Sequence, residues 1–172
     1  MGIILLLAAS CEKYEDVPGQ SDPRLSRKYC NDPEAVNFNR DFPGTADNSV
    51  CFYPADAFAA QYSFIDSIYD GGNKLLAEVP LLLTISADSR TKMSMTGFCP
   101  GSTNPIKLTA NQQLRAFVDT TVLNGQLLCR VKDTLSGYIS QKTPGDTLRL
   151  KLTFTVVSDT GLNYHEGTAY RQ

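Results

Sequence analysis

The chain has 172 residues and a formal net charge of −2, from 16 basic and 18 acidic side chains. This length suggests one domain with room for a small extra module, and it is enough to bury a core of its own. The slightly acidic balance gives no basic face, so we expect no nucleic-acid partner. The chain has eight tyrosines and eight phenylalanines but no tryptophan. The lack of tryptophan weakens the case for a surface that stacks on sugars, without excluding one.

An apolar segment, MGIILLLAAS, leads directly into Cys11. It is shorter than the roughly 20 residues that span a bilayer and fits the apolar core of a signal peptide. Leu7-Ala8-Ala9-Ser10-Cys11 resembles the lipobox of bacterial lipoproteins, although its leucine lies one place further from the cysteine than usual. The resemblance implies a signal peptide over 1–10, a covalent lipid on Cys11 and an outer-membrane location. The alternative is a buried N-terminal strand with an incidental cysteine.

The number of cysteines is odd, which in an exported protein needs a reason. Lipidation of Cys11 accounts for one of the five. The other four, Cys30, Cys51, Cys99 and Cys129, can pair in three ways, and an exported compartment lets such bonds persist. We predict Cys30–Cys51, which brackets a turn-rich stretch, and Cys99–Cys129, which remains. Cys99 and Cys129 as free buried thiols are the alternative to that second bond.

Residues 11–29 are predicted to be the lipid anchor and a flexible tether, since they are polar, contain prolines and show no apolar periodicity. The stretch Glu12–Asp16, EKYED, resembles the short acidic, lysine-containing export signals that place Bacteroidetes lipoproteins on the cell surface. A solvated charged linker is an equally good interpretation.

Residues 30–54 form a second unit rich in Asn, Asp, Pro and Gly, the residues that close turns. Its pattern is Cys30, Asp32-Pro33, Ala35, Asn37-Phe38, Ala46, Asp47-Asn48, Cys51 and Tyr53. This pattern resembles the disulfide-closed loops of secreted and surface proteins of Bacteroidetes, and more distantly thrombospondin type 3 repeats. The resemblance covers about 25 residues. This copy has about two extra residues near Asp41-Phe42, and Ser49-Val50 stands where Gly-Ser is usual.

The same loop holds the one candidate metal site. Its hard oxygen ligands, of the kind that Ca²⁺ binds six to eight at a time, are Asp32, Asn37, Asn39, Asp41 and Asp47. Their spacing is not that of an EF-hand, and Asx residues close turns without any metal. We therefore favour a loop held by a disulfide and Asx turns over bound Ca²⁺, and we predict no cofactor beyond the lipid on Cys11.

Residues 55–172 show the period-2 alternation of half-buried strands and no convincing helix. The clearest strand is Thr147–Val157, with leucines 148, 150 and 152, Phe154 and Val156 on one face. Further inward faces are Met93 with Met95, residues 135, 137 and 139, and leucines 81 and 83 with Ile85. Turns are predicted at Asp70–Asn73, Asn124–Gly125 and Pro144–Asp146. Eight or nine such strands predict an all-β domain, either an antiparallel sandwich or an up-and-down barrel.

This part also resembles a family of small Bacteroidetes lipoprotein β-domains. The likeness lies in strand order, in the opening strand Tyr62–Ser67 and in the closing Gly167–Gln172. It implies a fold and a location but no activity.

We predict no enzyme. His165 is the only histidine and falls on the last predicted strand, with no Gly-x-Ser-x-Gly motif to supply a nucleophile. We expect it to be a surface residue whose replacement by alanine changes stability by less than about 0.5 kcal/mol. Asp66, Asp70 and Glu78 around a Gly-Gly turn are expected to be solvated.

The leading hypothesis is a lipid-anchored, non-catalytic binding or accessory module at the outer membrane. It would be exposed on the cell surface or to the periplasm, as a subunit of a transport or secretion complex. The alternative is a calycin-like carrier of a small apolar ligand inside an eight-stranded barrel. A dry cavity in a closed barrel favours the carrier, and a filled core with an exposed apolar patch favours the docking module.

Overall fold

β-Strands dominate the computed structural model, which describes residues 22–102, 104–123, 125–128, 132–143, 145–146 and 148–172. The strands are β1 Lys28–Tyr29, β2 Thr45–Ala46, β3 Ala60–Asp70, β4 Leu75–Ala87, β5 Lys92–Thr96, β6 Ile106–Ala110, β7 Arg115–Val118, β8 Gln126–Leu127, β9 Thr134–Gln141, β10 Arg149–Ser158 and β11 Gly161–Arg171. One α-helix, α1, spans Pro54–Phe58, and 3₁₀ turns span Pro23–Ser26 and Asn48–Val50. No helix within the described ranges is long and apolar enough to span a membrane.

Eight of the strands close into an antiparallel barrel. β3 to β7 pair in chain order, β7 pairs with β9, and β9, β10 and β11 again pair in order. The pairing of β11 with β3 completes the ring, and β8 adds a short extra strand beside β9. Neighbours along the chain are neighbours in the sheet. The up-and-down barrel is therefore confirmed, and the sandwich is wrong.

Two predicted turns owe their geometry to aspartate side chains. Between β3 and β4, Asp70 Oδ1 accepts hydrogen bonds from the amides of Gly72, at 2.9 Å, and Lys74, at 3.0 Å. Between β9 and β10, Asp146 Oδ1 accepts from the amides of Leu148 and Arg149. Leu148 thus belongs to the turn and is exposed, so its predicted inward position is wrong.

The barrel interior is filled by side chains from the predicted inward faces of β4, β5, β9 and β10, together with side chains from α1, β3 and β6 that were not predicted. The largest fully buried side chains are Tyr62, Phe58, Phe64, Phe154, Leu83, Met93, Met95, Leu108, Leu135, Ile139, Leu150 and Leu152. An eight-stranded barrel is just wide enough for such filling. The alternation that predicted β5, β9 and β10 is therefore confirmed as the core pattern.

Helix α1 plugs one end of the barrel and corrects the expectation that the domain has no helix. Pro54 occupies its first turn, where proline is tolerated, and Ala55, Ala57 and Phe58 are buried. The helix packs against β4 and β6. Five residues make less than one and a half turns, so no helical periodicity could appear in the sequence.

Phe98 covers the opposite end. It follows β5 directly and is buried, and its ring packs edge-on against Phe154 with centroids 5.4 Å apart. Beyond this point β3, β4, β10 and β11 extend as long hairpins, since β5 pairs only with Thr84–Ala87 of the longer β4. Phe98 thus lies where the closed barrel gives way to a projecting sheet.

The disulfide-closed loop precedes α1. Cys30 and Cys51 are bonded, with their Cα atoms 4.8 Å apart, and β1 and β2 form a small parallel pair inside the loop. The Cys30–Cys51 prediction is therefore confirmed. Of the predicted tether, residues 22–29 are described and carry the first 3₁₀ turn and β1, whereas residues 11–21 lie outside the described ranges.

Candidate functional site

The predicted lipidation and disulfide residues are only partly described. Cys11 and Cys129 lie outside the described residues. Cys99 is buried beside Phe98 and is disulfide-bonded. A second disulfide at Cys99 agrees with the sequence, and the assignment of Cys129 as its partner stays a prediction.

The aspartates proposed as calcium ligands make hydrogen bonds and ion pairs with other groups of the protein. The carboxylate of Asp32 accepts hydrogen bonds from the Glu34 amide and the Tyr53 hydroxyl, both at 3.0 Å, and pairs with Arg90 at 2.6 Å. Its pKa is held below the ordinary value, first by the Glu34 amide and then by Tyr53 and Arg90. Asp32 is thus a structural anchor rather than an open ligand.

The other candidates have their own partners or turns. Asn37 donates to the Val50 carbonyl and accepts from the Phe52 amide, each at 2.8 Å. Asp47 pairs with Lys28 at 2.7 Å and also accepts from the Ser49 amide. Lys28, followed by Ser49, lowers the Asp47 pKa.

Asp41 lies 3.5 Å from Arg27, and both Asn39 and Asp41 have positive φ angles, which Asx residues tolerate in turns. Among the described residues no group of three or more acidic, histidine or cysteine side chains is placed to hold a metal ion. The structure shows Asx turns in this loop, and the absence of bound Ca²⁺ stays a prediction.

Arg90 joins the loop to the barrel. It lies in the turn between β4 and β5, contacts Asp32 and Glu34, and its guanidinium stacks 4.7 Å from the centre of the Tyr53 ring. Its carbonyl also accepts from the Ala55 amide of α1. The barrel and the disulfide loop therefore share one ionic and aromatic joint.

We expect this joint to weaken in acid. The depressed folded-state pKa means that ionised Asp32 stabilises the loop above the unfolded carboxyl pKa of about 3.9. This contribution is lost as the pH falls through the lower folded value. Hydrogen-exchange protection factors of residues 30–54, corrected for intrinsic rates, should therefore drop below about pH 4.

Asp32→Asn should lower this protection at neutral pH and flatten its acid dependence. The exposed Asp56 of α1, whose side chain makes no hydrogen bond in the described structure, supplies the control Asp56→Asn, which should behave as the wild type does. An unchanged acid dependence in Asp32→Asn would refute the joint.

An aspartate–histidine pair lies inside the barrel beneath Phe98. Asp66 Oδ2 is 2.7 Å from His165 Nδ1. Asp66 is only 3% exposed and the His165 side chain 12%. The His165 ring also packs 5.6 Å from Phe98, and Asp66 Oδ1 has no hydrogen-bond partner. The expectations of a surface His165 and a solvated Asp66 are therefore wrong.

The signal for this pair was present in the sequence. Asp66 is in phase with the inward Tyr62 and Phe64 of β3, and His165 is in phase with the inward Ala169 of β11. Strand alternation alone places both side chains inside. We missed the pair because we judged both residues by their polar character and not by their position in the alternation of each strand.

The pair has two members of a possible acid–base triad. Asp66 orients the histidine ring, the role of the third group in a Ser-His-Asp arrangement. Among the described residues, however, no serine, threonine or cysteine hydrogen-bonds to His165. What the geometry supplies is a buried polar pair. The absence of catalysis stays a prediction.

An exposed apolar surface lies on the outer wall of the barrel. It consists of Ile65, Pro80, Leu82 and Tyr170, on neighbouring strands β3, β4 and β11, and we call it the Ile65 surface. Ile65 is 57% and Leu82 56% exposed. A groove of about 450 Å³ runs along this surface beside Gly167. Sequence reasoning missed it because these positions were counted only as the outer face of a strand.

Comparison with protein families gives no match, and comparison with curated proteins gives none either. A solved structure titled as a redesigned beta barrel is similar over 69% of this chain and 95% of that chain, at 15% sequence identity and a TM-score of 0.43. A likeness this weak supports no conclusion about function.

Proposed function

We propose that this protein is a lipid-anchored, non-catalytic binding or accessory module that docks on an outer-membrane transport or secretion complex. One observation carries the docking part. The barrel interior is filled, while the Ile65 surface leaves large apolar side chains in contact with solvent. Apolar groups gathered on one face in this way are typical of protein contact sites. The partner should therefore present an apolar face to β3, β4 and β11.

The anchor and the location rest on the sequence. The apolar segment, the small residues before Cys11 and the odd number of cysteines support lipidation at that residue. Two disulfide-bonded sites, at Cys30–Cys51 and at Cys99, fit an oxidising exported compartment. The Glu12–Asp16 stretch supports display at the cell surface.

The test is purification from native membranes in a gentle detergent through a C-terminal tag. The wild type should retain one outer-membrane protein in fixed stoichiometry, and Ile65→Asp with Leu82→Asp should lose it. A matched pair elsewhere on the wall, Phe117→Asp with Leu127→Asp, exposed to a similar degree, should retain it. Melting temperatures check that both variants fold.

Intact mass of the purified chain tests the anchor separately. We expect a chain beginning at lipid-modified Cys11. An unmodified chain beginning at Met1 would refute the anchor. Retention of the same partner by the Ile65→Asp, Leu82→Asp variant would refute the docking surface and leave the anchor untouched.

The calycin-like carrier is the second candidate, and the feature that favours it is the Phe98 end. There a single aromatic ring covers Phe154 and His165, and Asp66 Oδ1 has no partner. Because the interior is filled, an apolar ligand would have to displace Phe98. Binding of a fluorescent fatty acid that increases in Phe98→Ala would support this candidate over docking.

A further inference from the structure

A second pocket opens on the outer wall, on strands β3, β10 and β11, apart from the Ile65 surface. It measures about 350 Å³. Tyr69 and Tyr164 are direct cross-strand partners there, as are Thr153 and Glu166. These four positions alternate with the inward Phe154 and His165, so their side chains face outward. Asn73, from the turn between β3 and β4, completes the rim.

Five polar side chains that line this pocket make no hydrogen bond within the described part of the chain, whereas His165, which also lines it, is bonded to Asp66. The Thr153 hydroxyl is buried and makes no hydrogen bond. In the described part of the chain the side chains of Tyr69, Tyr164, Glu166 and Asn73 make none either. The side chains of Tyr69, Tyr164, Glu166 and Asn73 line the open pocket, so their polar groups can hydrogen-bond to a ligand that occupies it.

The composition of the lining defines that ligand. The lining carries one carboxylate, Glu166, and no lysine or arginine, and its one histidine, His165, is bonded to Asp66, so no group in it favours an anion. Two tyrosine rings offer apolar faces, and the hydroxyl, amide and carboxylate groups offer donors and acceptors around them. The volume lies within the range of small-molecule pockets, about 300–1,000 Å³. The matching ligand has an apolar ring face and a rim of hydroxyl groups.

We propose that this pocket binds a neutral sugar residue. One face of the sugar ring stacks on Tyr69 or Tyr164, and its hydroxyl groups bond to Glu166 and Asn73. Tyrosine takes the stacking role in a chain that has no tryptophan. This inference does not depend on docking at the Ile65 surface, because the two sites are lined by different residues.

The experiment uses the full chain in a detergent without a sugar headgroup. Saturation-transfer NMR and calorimetry are run with methyl glycosides of hexoses and N-acetylhexosamines, with choline as a cationic probe. We expect at least one glycoside to bind with a dissociation constant of about 1 mM, an affinity that corresponds to about 4 kcal/mol. Choline should not compete with it.

Glu166→Leu removes the carboxylate and keeps the size of the side chain, and it should weaken glycoside binding at least tenfold without lowering the melting temperature. Tyr164→Ala should abolish binding. Phe117→Ala, an exposed aromatic residue of the barrel wall outside the pocket, is the control and should bind as the wild type does. Absence of glycoside binding, binding unchanged in Glu166→Leu and Tyr164→Ala, or binding of choline alone would each overturn the proposal.

Discussion

His165→Ala is expected to lower the free energy of unfolding by about 3 kcal/mol, because it removes the hydrogen-bond partner of a buried carboxyl group. That group is Asp66, whose other oxygen already has no partner. At roughly 2–4 °C for each kcal/mol in a domain of this size, the melting temperature should fall by about 6–12 °C. Thermal unfolding by circular dichroism measures it.

A double variant tests the same explanation through the direction in which stability changes. Adding Asp66→Leu to His165→Ala removes the stranded carboxylate, so the double variant should be more stable than His165→Ala alone. Asn163→Ala, a half-buried position of the same inward phase on β11, serves as the control and should cost about 0.5 kcal/mol. A cost for His165→Ala no larger than that of the control would show that the pair contributes nothing to stability.

The second large effect concerns Gly137 on β9. Its φ angle is +131°, and a Cβ atom there would lie 2.2 Å from the carbonyl oxygen of Thr153 and 2.8 Å from Cα of Phe154. Both are backbone atoms of the paired strand β10, so neither can move without opening the barrel wall. Backbone strain and overpacking each cost about 1–3 kcal/mol, so Gly137→Ala should lose about 4 kcal/mol.

Gly161 supplies a control with a nearly equal φ and no close neighbour. Its φ is +129°, and nothing lies within 4 Å of the added Cβ. Gly161→Ala should therefore show the strain alone, about 1–3 kcal/mol. Equal losses in the two variants, measured by urea unfolding, would mean that the wall yields at Gly137 and that the contact with β10 carries no penalty.

Local pattern predicted most of the barrel wall. The alternation of Met93 with Met95, and of Leu150 with Leu152 and Phe154, follows directly from burying one face of each strand. The Cys30–Cys51 bond followed from two cysteines bracketing a turn-rich loop. In each case the residues that matter are close together in the chain.

Features that depend on distant parts of the chain were not predicted. The choice of barrel over sandwich rests on β11 pairing with β3, and no local pattern specifies which strands meet at the closure. Asp66 and His165 are separated by 99 positions. Neither the outer sugar pocket nor the Ile65 surface could be predicted, because each assembles outward residues of three strands whose neighbours were unknown.

The plug helix and the disulfide loop share one end of the barrel. The loop meets the barrel there, through Arg90 in the turn between β4 and β5 and Gln112 in the turn between β6 and β7. Phe98 and the turn between β3 and β4 lie at the other end. The projecting hairpins, with the pocket of Tyr69 and Tyr164, are therefore remote from the loop, so one end of the barrel can be occupied while the other stays accessible.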